Sequence, residues 1–294
     1  MAKIKKRWGD RKDARKIRKL DGMHNIILDL KPRRCDSDVY INQKLDVTNL
    51  IKYMEKLKKK NPDKHITYFH AFVTAIGKLF YNKPYLNRFV ANRTYYEHDD
   101  VKIAFVAKTE FTDDAQELLV VLKIDENDNI FSVSDRIADK VKKVRTNTNK
   151  SDTNDIVDLV GGLPKFLRIP ILGIIKWLDK HGWLPKSMTN DNIYYSSAIV
   201  SNLGSIDCGS IYHNITNFGT SSMLATMGKI HKEKVIDEKG KEELRDICDF
   251  GINCDERIAD GLYFARSISL LQYIFNNPEL LEGKASEVID EKKK

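Results

Sequence analysis

The sequence predicts an α/β chain, an α+β two-layer sandwich in which helices pack on a mixed, largely β core. Three observations predict it. Some segments repeat apolar residues at helical spacing, others alternate or run apolar for four to eight residues, and the two kinds interleave along 294 residues.

In chain order, residues 10–19 are expected to form a short basic helix. "VYINQKLDV" alternates like a strand. In "DVTNLIKYMEKLKKKN" an Asp/Thr start signal precedes one helical face of Leu50, Ile51, Met54 and Leu57. "TYFHAFVTAIGKLFYNKP" repeats the pattern with Phe69, Phe72, Val73, Ile76 and Phe80 and should stop before Pro84. His70 inside it is expected to be a core or boundary residue. "NRFVANRTYYEH", "VKIAFVAKTE" and "ELLVVLKID" read as strands, and "SVSDRIADKVKKVRTNT" returns to helix. The polar run 146–155 is the clearest loop.

Segment 161–185 is dense in apolar residues. Pro170 should divide it into two helical pieces, buried against the body, although Trp177 and Trp183 among lysines also suit a membrane surface. The last third is mostly strand. "NIYYSSAIVSNLG" and "SSMLATMGKI" come first, then a hairpin about Glu238-Lys239-Gly240-Lys241. In its second arm Phe250, Ile252 and Cys254 share one face and Asp249, Gly251 and Asn253 the other. A final helix should begin near Asp260 and end at Pro278.

Composition excludes several classes. With 41% hydrophobic and 31% charged residues the chain reads as an ordinary globular one. No run approaches 18 uncharged apolar residues, so no membrane span is expected. The basic start "MAKIKKRWGDRKDARKIRKL" has no apolar run behind it and does not read as a secretory leader. Cys35, Cys208, Cys248 and Cys254 form no C-x-x-C and no ligand spacing with histidine. They are expected to be reduced thiols of a cytoplasmic protein, with no metal. The net charge of +8 points to an acidic or phosphorylated partner. Nucleic acid is not expected, because no recognition motif accompanies the charge.

Five segments in order carry a resemblance: "KLDVTNL", "FVTAIGKLFYNKPYLN", "LLVVLKID", "IVSNLGSIDCGSIY" with "MLATMGKI", and "DERIADG" followed by "NNPELL". Together they resemble the catalytic domain of the dihydrolipoyl acyltransferases of 2-oxo acid dehydrogenase complexes, and the layout is similar to chloramphenicol acetyltransferase. The resemblance divides the chain into a basic extension (1–34), an acyltransferase-like domain (35–282) with 161–185 inserted, and a charged tail (283–294). It implies a homotrimer, or a multiple of three, with sites between subunits and coenzyme A or acyl-CoA as substrate. A complete complex subunit carries lipoyl and subunit-binding domains ahead of this core. No D-K-A lipoyl hairpin is found, and "ADKV" (138–141) lies in a helical stretch.

The resemblance also implies site residues. Asp260 and Gly261 match the family's His-x-x-x-Asp-Gly, with Glu256 in the histidine position. Ser201 matches the hydroxyl that stabilises the tetrahedral oxyanion, with Asn202 beside it. Arg33 and Arg34 are candidates to pair with Asp260. Moving a proton from a thiol of pKa about 8.5 to a histidine of about 6.5 is uphill by about 2.7 kcal/mol, and to a glutamate of about 4.3 by about 5.7. The difference is on the order of a hundredfold in rate. Three readings stay open: Glu256 is a tuned base, flanked by Asp255 and Arg257; His213, twelve positions after Ser201, supplies the base; or the trimer is a non-catalytic scaffold or binding protein.

Overall fold

The computed structural model describes residues 6–108, 117–146, 159–236 and 240–290. The alternating segments become strands of two sheets. Strands β2 (Asp38–Asp46), β5 (Val101–Lys108), β6 (Glu117–Ile124), β7 (Ala198–Asn202), β8 (Met223–Ile236) and β9 (Glu242–Asp255) form the larger, in the order β2-β9-β8-β7-β5-β6. Only β7 runs parallel to its neighbours, pairing Phe105 with Val200 and Ser201 with Thr226. The predicted hairpin is β8–β9, and the "MLATMGKI" run is the first half of β8. Its Glu238-Lys239 corner lies outside the described residues, as does most of the loop predicted at 146–155.

The predicted alternation of β9 holds. Phe250, Ile252 and Cys254 point into the main core, under helices α2 (Thr48–Lys60), α3 (Tyr68–Asn82), α4 (Ile130–Thr146) and the terminal helix. Phe72 of α3 sits between Phe250 and Phe275, with ring centroids 5.2 and 4.9 Å away. The Asp/Thr start of α2 fastens helix to sheet: Asp46 Oδ1 accepts from Thr48 N–H, and Thr48 Oγ1 accepts from Asp246 N–H. This two-layer arrangement is the predicted fold class.

The smaller sheet has the order β1-β4-β3, from β1 (Ala14–Lys16), β3 (Arg88–Ala91) and β4 (Thr94–His98). Residues 14–16 are therefore strand, where a basic helix is predicted. The run has no apolar stripe at helical spacing to bury, and its charge finds an opposite partner across the ladder, Arg15 facing Glu97 at 3.1 Å. Helix α1 (Gly22–Leu30) follows, capped by Asp21 and packed through Leu28 on Val90 and Tyr95.

The second departure is helix α5 (Lys165–His181), one continuous helix through Pro170. A proline there removes the N–H that would bond the Phe166 carbonyl. Phe166 is 75% exposed, so water can replace that bond. Nor is α5 buried: Asp179 is its one buried residue. That carboxylate anchors the helix, accepting from Tyr195 O–H at 2.5 Å and Gly219 N–H at 3.0 Å. Gly182 ends the helix at φ +69°, a conformation glycine adopts without a Cβ penalty. A short helix α6 (Lys186–Thr189) leads to β7. The terminal helix α7 (Gly261–Asn276) stops at Pro278 as predicted.

Candidate functional site

The outer face of the large sheet, away from the helices, carries the polar groups. The loop after β7 crosses this face as a strap. Ile211 N–H donates to Thr226 Oγ1 at 3.1 Å, and the His213 carbonyl accepts from the Asn253 amide at 2.7 Å. At its far end Asn217 Oδ1 accepts from Arg34 N–H at 2.6 Å. The strap approaches so closely that a Cβ on Gly251 would lie 2.4 Å from the Ile211 carbonyl oxygen.

The "DERIADG" turn follows β9. Its most constrained member is Asp255, which is fully buried. It accepts from Arg257 Nε at 2.8 Å and Nη2 at 2.6 Å, and Arg34 Nε stands 3.7 Å away. Burial pushes the Arg34 guanidinium below its usual pKa, against the upward pull of Asp255. Asp38, opposite Asp255 on β2, is raised by burial, while Asn253 and Arg34 pull it down. Two acids and two arginines thus form a compact lock at the start of the turn.

Glu256 stands outside that lock. Its N–H donates to the Ser37 carbonyl at 2.9 Å, and its half-exposed carboxylate accepts from the Lys31 ammonium. Its neighbours in sequence do not flank it electrostatically as expected, because Asp255 and Arg257 are committed to each other. Asp260 is also placed differently. It is exposed and caps α7, accepting from Tyr263 N–H at 2.7 Å. Neither predicted arginine reaches it: Arg33 pairs with Asp36 and Arg34 with Asp255. Gly261 is an ordinary first helical residue with no positive φ, and a Cβ there would meet nothing within 4 Å.

Ser201 lies half-buried on the outer face, in register with Thr226 and hence with Gly251. Its hydroxyl bonds no group among the described residues. Asn202 ends β7, and its carbonyl accepts from Ser205 O–H. His213 is exposed on the strap above Asn253. The register fixes the separations, since residues rise about 3.3 Å along a strand and strands lie about 4.8 Å apart. Glu256 is five residues along and two strands across from Ser201, about 20 Å by backbone. His213, above Asn253, is nearer, at about 12 Å. One chain therefore brings together Ser201 and the strap, and leaves Glu256 and Asp260 remote.

Sequence reading missed the Asp255–Arg34–Arg257 lock and Lys31. Asp255 and Arg257 were visible as neighbours, but nothing local marks Arg34 or Lys31 as their partners. It also passed over His98, which burial lowers to about 4. His98 donates from Nδ1 to the Asn87 carbonyl and accepts at Nε2 from Thr220 O–H, a satisfied core arrangement. His70 is buried in α3, as predicted. No group of three or more His, Cys, Asp or Glu among the described residues could hold a metal ion.

Comparison with known proteins agrees with this fold. The lipoamide acyltransferase component of the branched-chain alpha-keto acid dehydrogenase complex of Bacillus subtilis (strain 168) is 24% identical over 237 residues. That alignment covers 79% of this chain and 45% of the relative, so the chain spans about half the relative's length. A probable dihydrolipoamide acetyltransferase from Listeria monocytogenes 4b F2365 has the same fold, with a TM-score of 0.59 at 17% identity over 89% of this chain and 94% of that one. A chloramphenicol acetyltransferase gives 0.52 at 10% identity, over 90% and 98%. The sequence profile of the 2-oxoacid dehydrogenases acyltransferase (catalytic domain) matches residues 35–156 and 184–282, passing over the stretch that holds α5. With three quarters of its length so matched, the chain belongs to the acyltransferase catalytic-domain family of the 2-oxoacid dehydrogenases.

Proposed function

We propose that the chain transfers an acyl group between coenzyme A and a thiol or hydroxyl acceptor, at a site completed by a second copy in a homotrimer or a multiple of three. The observation that carries the reading is the separation of Ser201 from the Asp260-Gly261 turn. Within one chain they are too far apart to touch one acyl carbon. Each is nevertheless open: Ser201 offers an unengaged hydroxyl on the outer face, and Gly261 faces free space. A neighbour's turn docked beside Ser201 would close the site. Exposed Tyr40, Ile211 and Tyr212 give that face apolar area for such a contact.

In this reading a base takes the thiol proton of coenzyme A, and the sulfur attacks the acyl carbonyl. Ser201 O–H donates to the resulting oxyanion. Collapse expels the oxygen or sulfur that had carried the acyl group, which recovers the proton from the base, and the reverse sequence acylates the acceptor. His213 fits the base better than Glu256. Its imidazole is exposed on the Ser201 face and its backbone is pinned by Asn253, whereas the Glu256 carboxylate is held by Lys31. Lysines in excess supply charge for the pyrophosphate. The four cysteines are free thiols, with Cys248 and Cys254 raised to about 12 by burial, which suits a reducing, cytoplasmic setting.

The test is calorimetric titration with coenzyme A and acetyl-CoA, at low and moderate salt. Saturable micromolar binding, one ligand per chain, is expected. His213→Ala should then lower turnover by about a hundredfold, and Glu256→Gln should change it little. No binding at millimolar ligand would remove acyl transfer and leave the trimeric scaffold.

A further inference from the structure

We propose that α5 docks the protein on the surface of an anionic lipid bilayer. At 100° per residue the inward stripe of α5 holds Arg168, Ile171, Ile175 and Leu178, with Asp179 beside them. The opposite stripe is also apolar: Phe166, Ile169 and Trp177 are 75%, 65% and 50% exposed. A helix with apolar residues on two opposite sides needs cover on both, and among the described residues the outer side has none.

The character of that outer stripe selects the occupant. Lys165 and Lys176 run along its flank and Lys180 lies between Ile169 and Phe166, and none of the three forms an ion pair with a described residue. The one acid of α5, Asp179, is buried and turned inward. Lysine is depleted at the cores of protein interfaces. Lysines beside aromatic and branched apolar residues are what a helix lying in a headgroup layer presents. Trp177, His181 and Trp183 cluster at one end, centroids 4.6 to 5.2 Å apart, and such rings suit the boundary between water and acyl chain. No helix among the described residues is long and apolar enough to cross a membrane, so α5 lies on the bilayer. The family profile passes over 157–183, so the surface is additional to the acyl-transfer fold and independent of the proposed reaction.

The test is flotation of the full chain with vesicles of phosphatidylcholine, alone or mixed with phosphatidylglycerol. Binding is expected to the mixed vesicles, weakened by salt. Phe166→Asp with Ile169→Asp should abolish it, and because both side chains are largely exposed the thermal transition should not move. Lys176→Gln with Lys180→Gln should weaken it roughly thirtyfold. In a Trp8→Phe, Trp183→Phe background the emission of Trp177 should shift to the blue on binding. Absence of flotation with either vesicle would overturn the proposal, as would binding that survives the aspartates. A drop in oligomer mass caused by the aspartates, with vesicles unbound, would assign the face to a subunit contact instead.

Discussion

Helices α3 and α5 have similar length and are both more than half apolar, and they end in opposite environments. In α3 the residues from His70 to Phe80 are buried. In α5 only Asp179 is. Hydropathy states that a helix has apolar area to cover. The number of elements that converge on it decides whether this chain covers it. α3 lies on the large sheet with α4 and α7 on either side, while α5 is held at one end through Asp179, whose carbonyl also accepts from Arg11 Nη1 at 2.8 Å. The comparison breaks most simply by truncation. Phe72→Ala should cost about 3–5 kcal/mol, the transfer term plus a cavity between Phe250 and Phe275. Phe166→Ala should stay within about 0.5 kcal/mol. Denaturant midpoints measure both, and comparable losses would mean that α5 is packed after all.

The same contrast recurs at the scale of two adjacent residues. Asp255 is sealed between two guanidinium groups, while Glu256 reaches a half-exposed lysine. Removing one partner of a buried ionic group leaves charge uncompensated, so Asp255→Ala should lose roughly 3–5 kcal/mol. Glu256→Gln should lose under about 1 kcal/mol, because water screens its partner. A large stability loss from Glu256→Gln would show that the position of the family's histidine has become structural.

These two contrasts mark what was legible in the sequence. The faces of β9, the course of α3 and the cap at Asp260 depend on neighbours within a few positions, so pattern and propensity reach them. One partner of Asp255, Arg34, lies at the other end of the chain, and no local rule connects the two. Gly251 could be placed on the polar face, but its reason is the strap carbonyl of Ile211, which only the fold supplies. The resemblance supplied Ser201, Glu256 and Asp260 as positions. It could not supply their distances, and the register shows that Ser201 and Glu256 lie about 20 Å apart within one chain.

Buried histidines separate the core from the surface in a third way. His70 and His98 are each lowered to about 4 by burial, so both are neutral in the folded chain at neutral pH. The unfolded chain takes up a proton near pH 6.5 while the folded chain does not. Stability is therefore constant above about 6.5 and falls as pH drops towards about 4, each histidine contributing up to about 3 kcal/mol of loss. Asp10, held at about 2, stays ionised over that window and does not contribute. Unfolding midpoints measured down that range should fall steadily, and His98→Gln should flatten the slope. An unchanged slope would place the sensitivity in another group.

The smallest effect concerns Asp260, and it separates the single chain from its assembly. In the chain alone this residue caps α7 through one hydrogen bond to Tyr263 N–H. Asparagine caps as well as aspartate, so Asp260→Asn should leave stability unchanged, whereas Asp260→Ala should cost about 1 kcal/mol. The equality of Asp and Asn is the informative part, because it holds only while the charge has no partner. Loss of stability, or of oligomer, in Asp260→Asn would mean that a second copy brings a cation to the carboxylate. The arginine pairing that the resemblance implies would then be made between chains, on the side where Gly261 leaves open space.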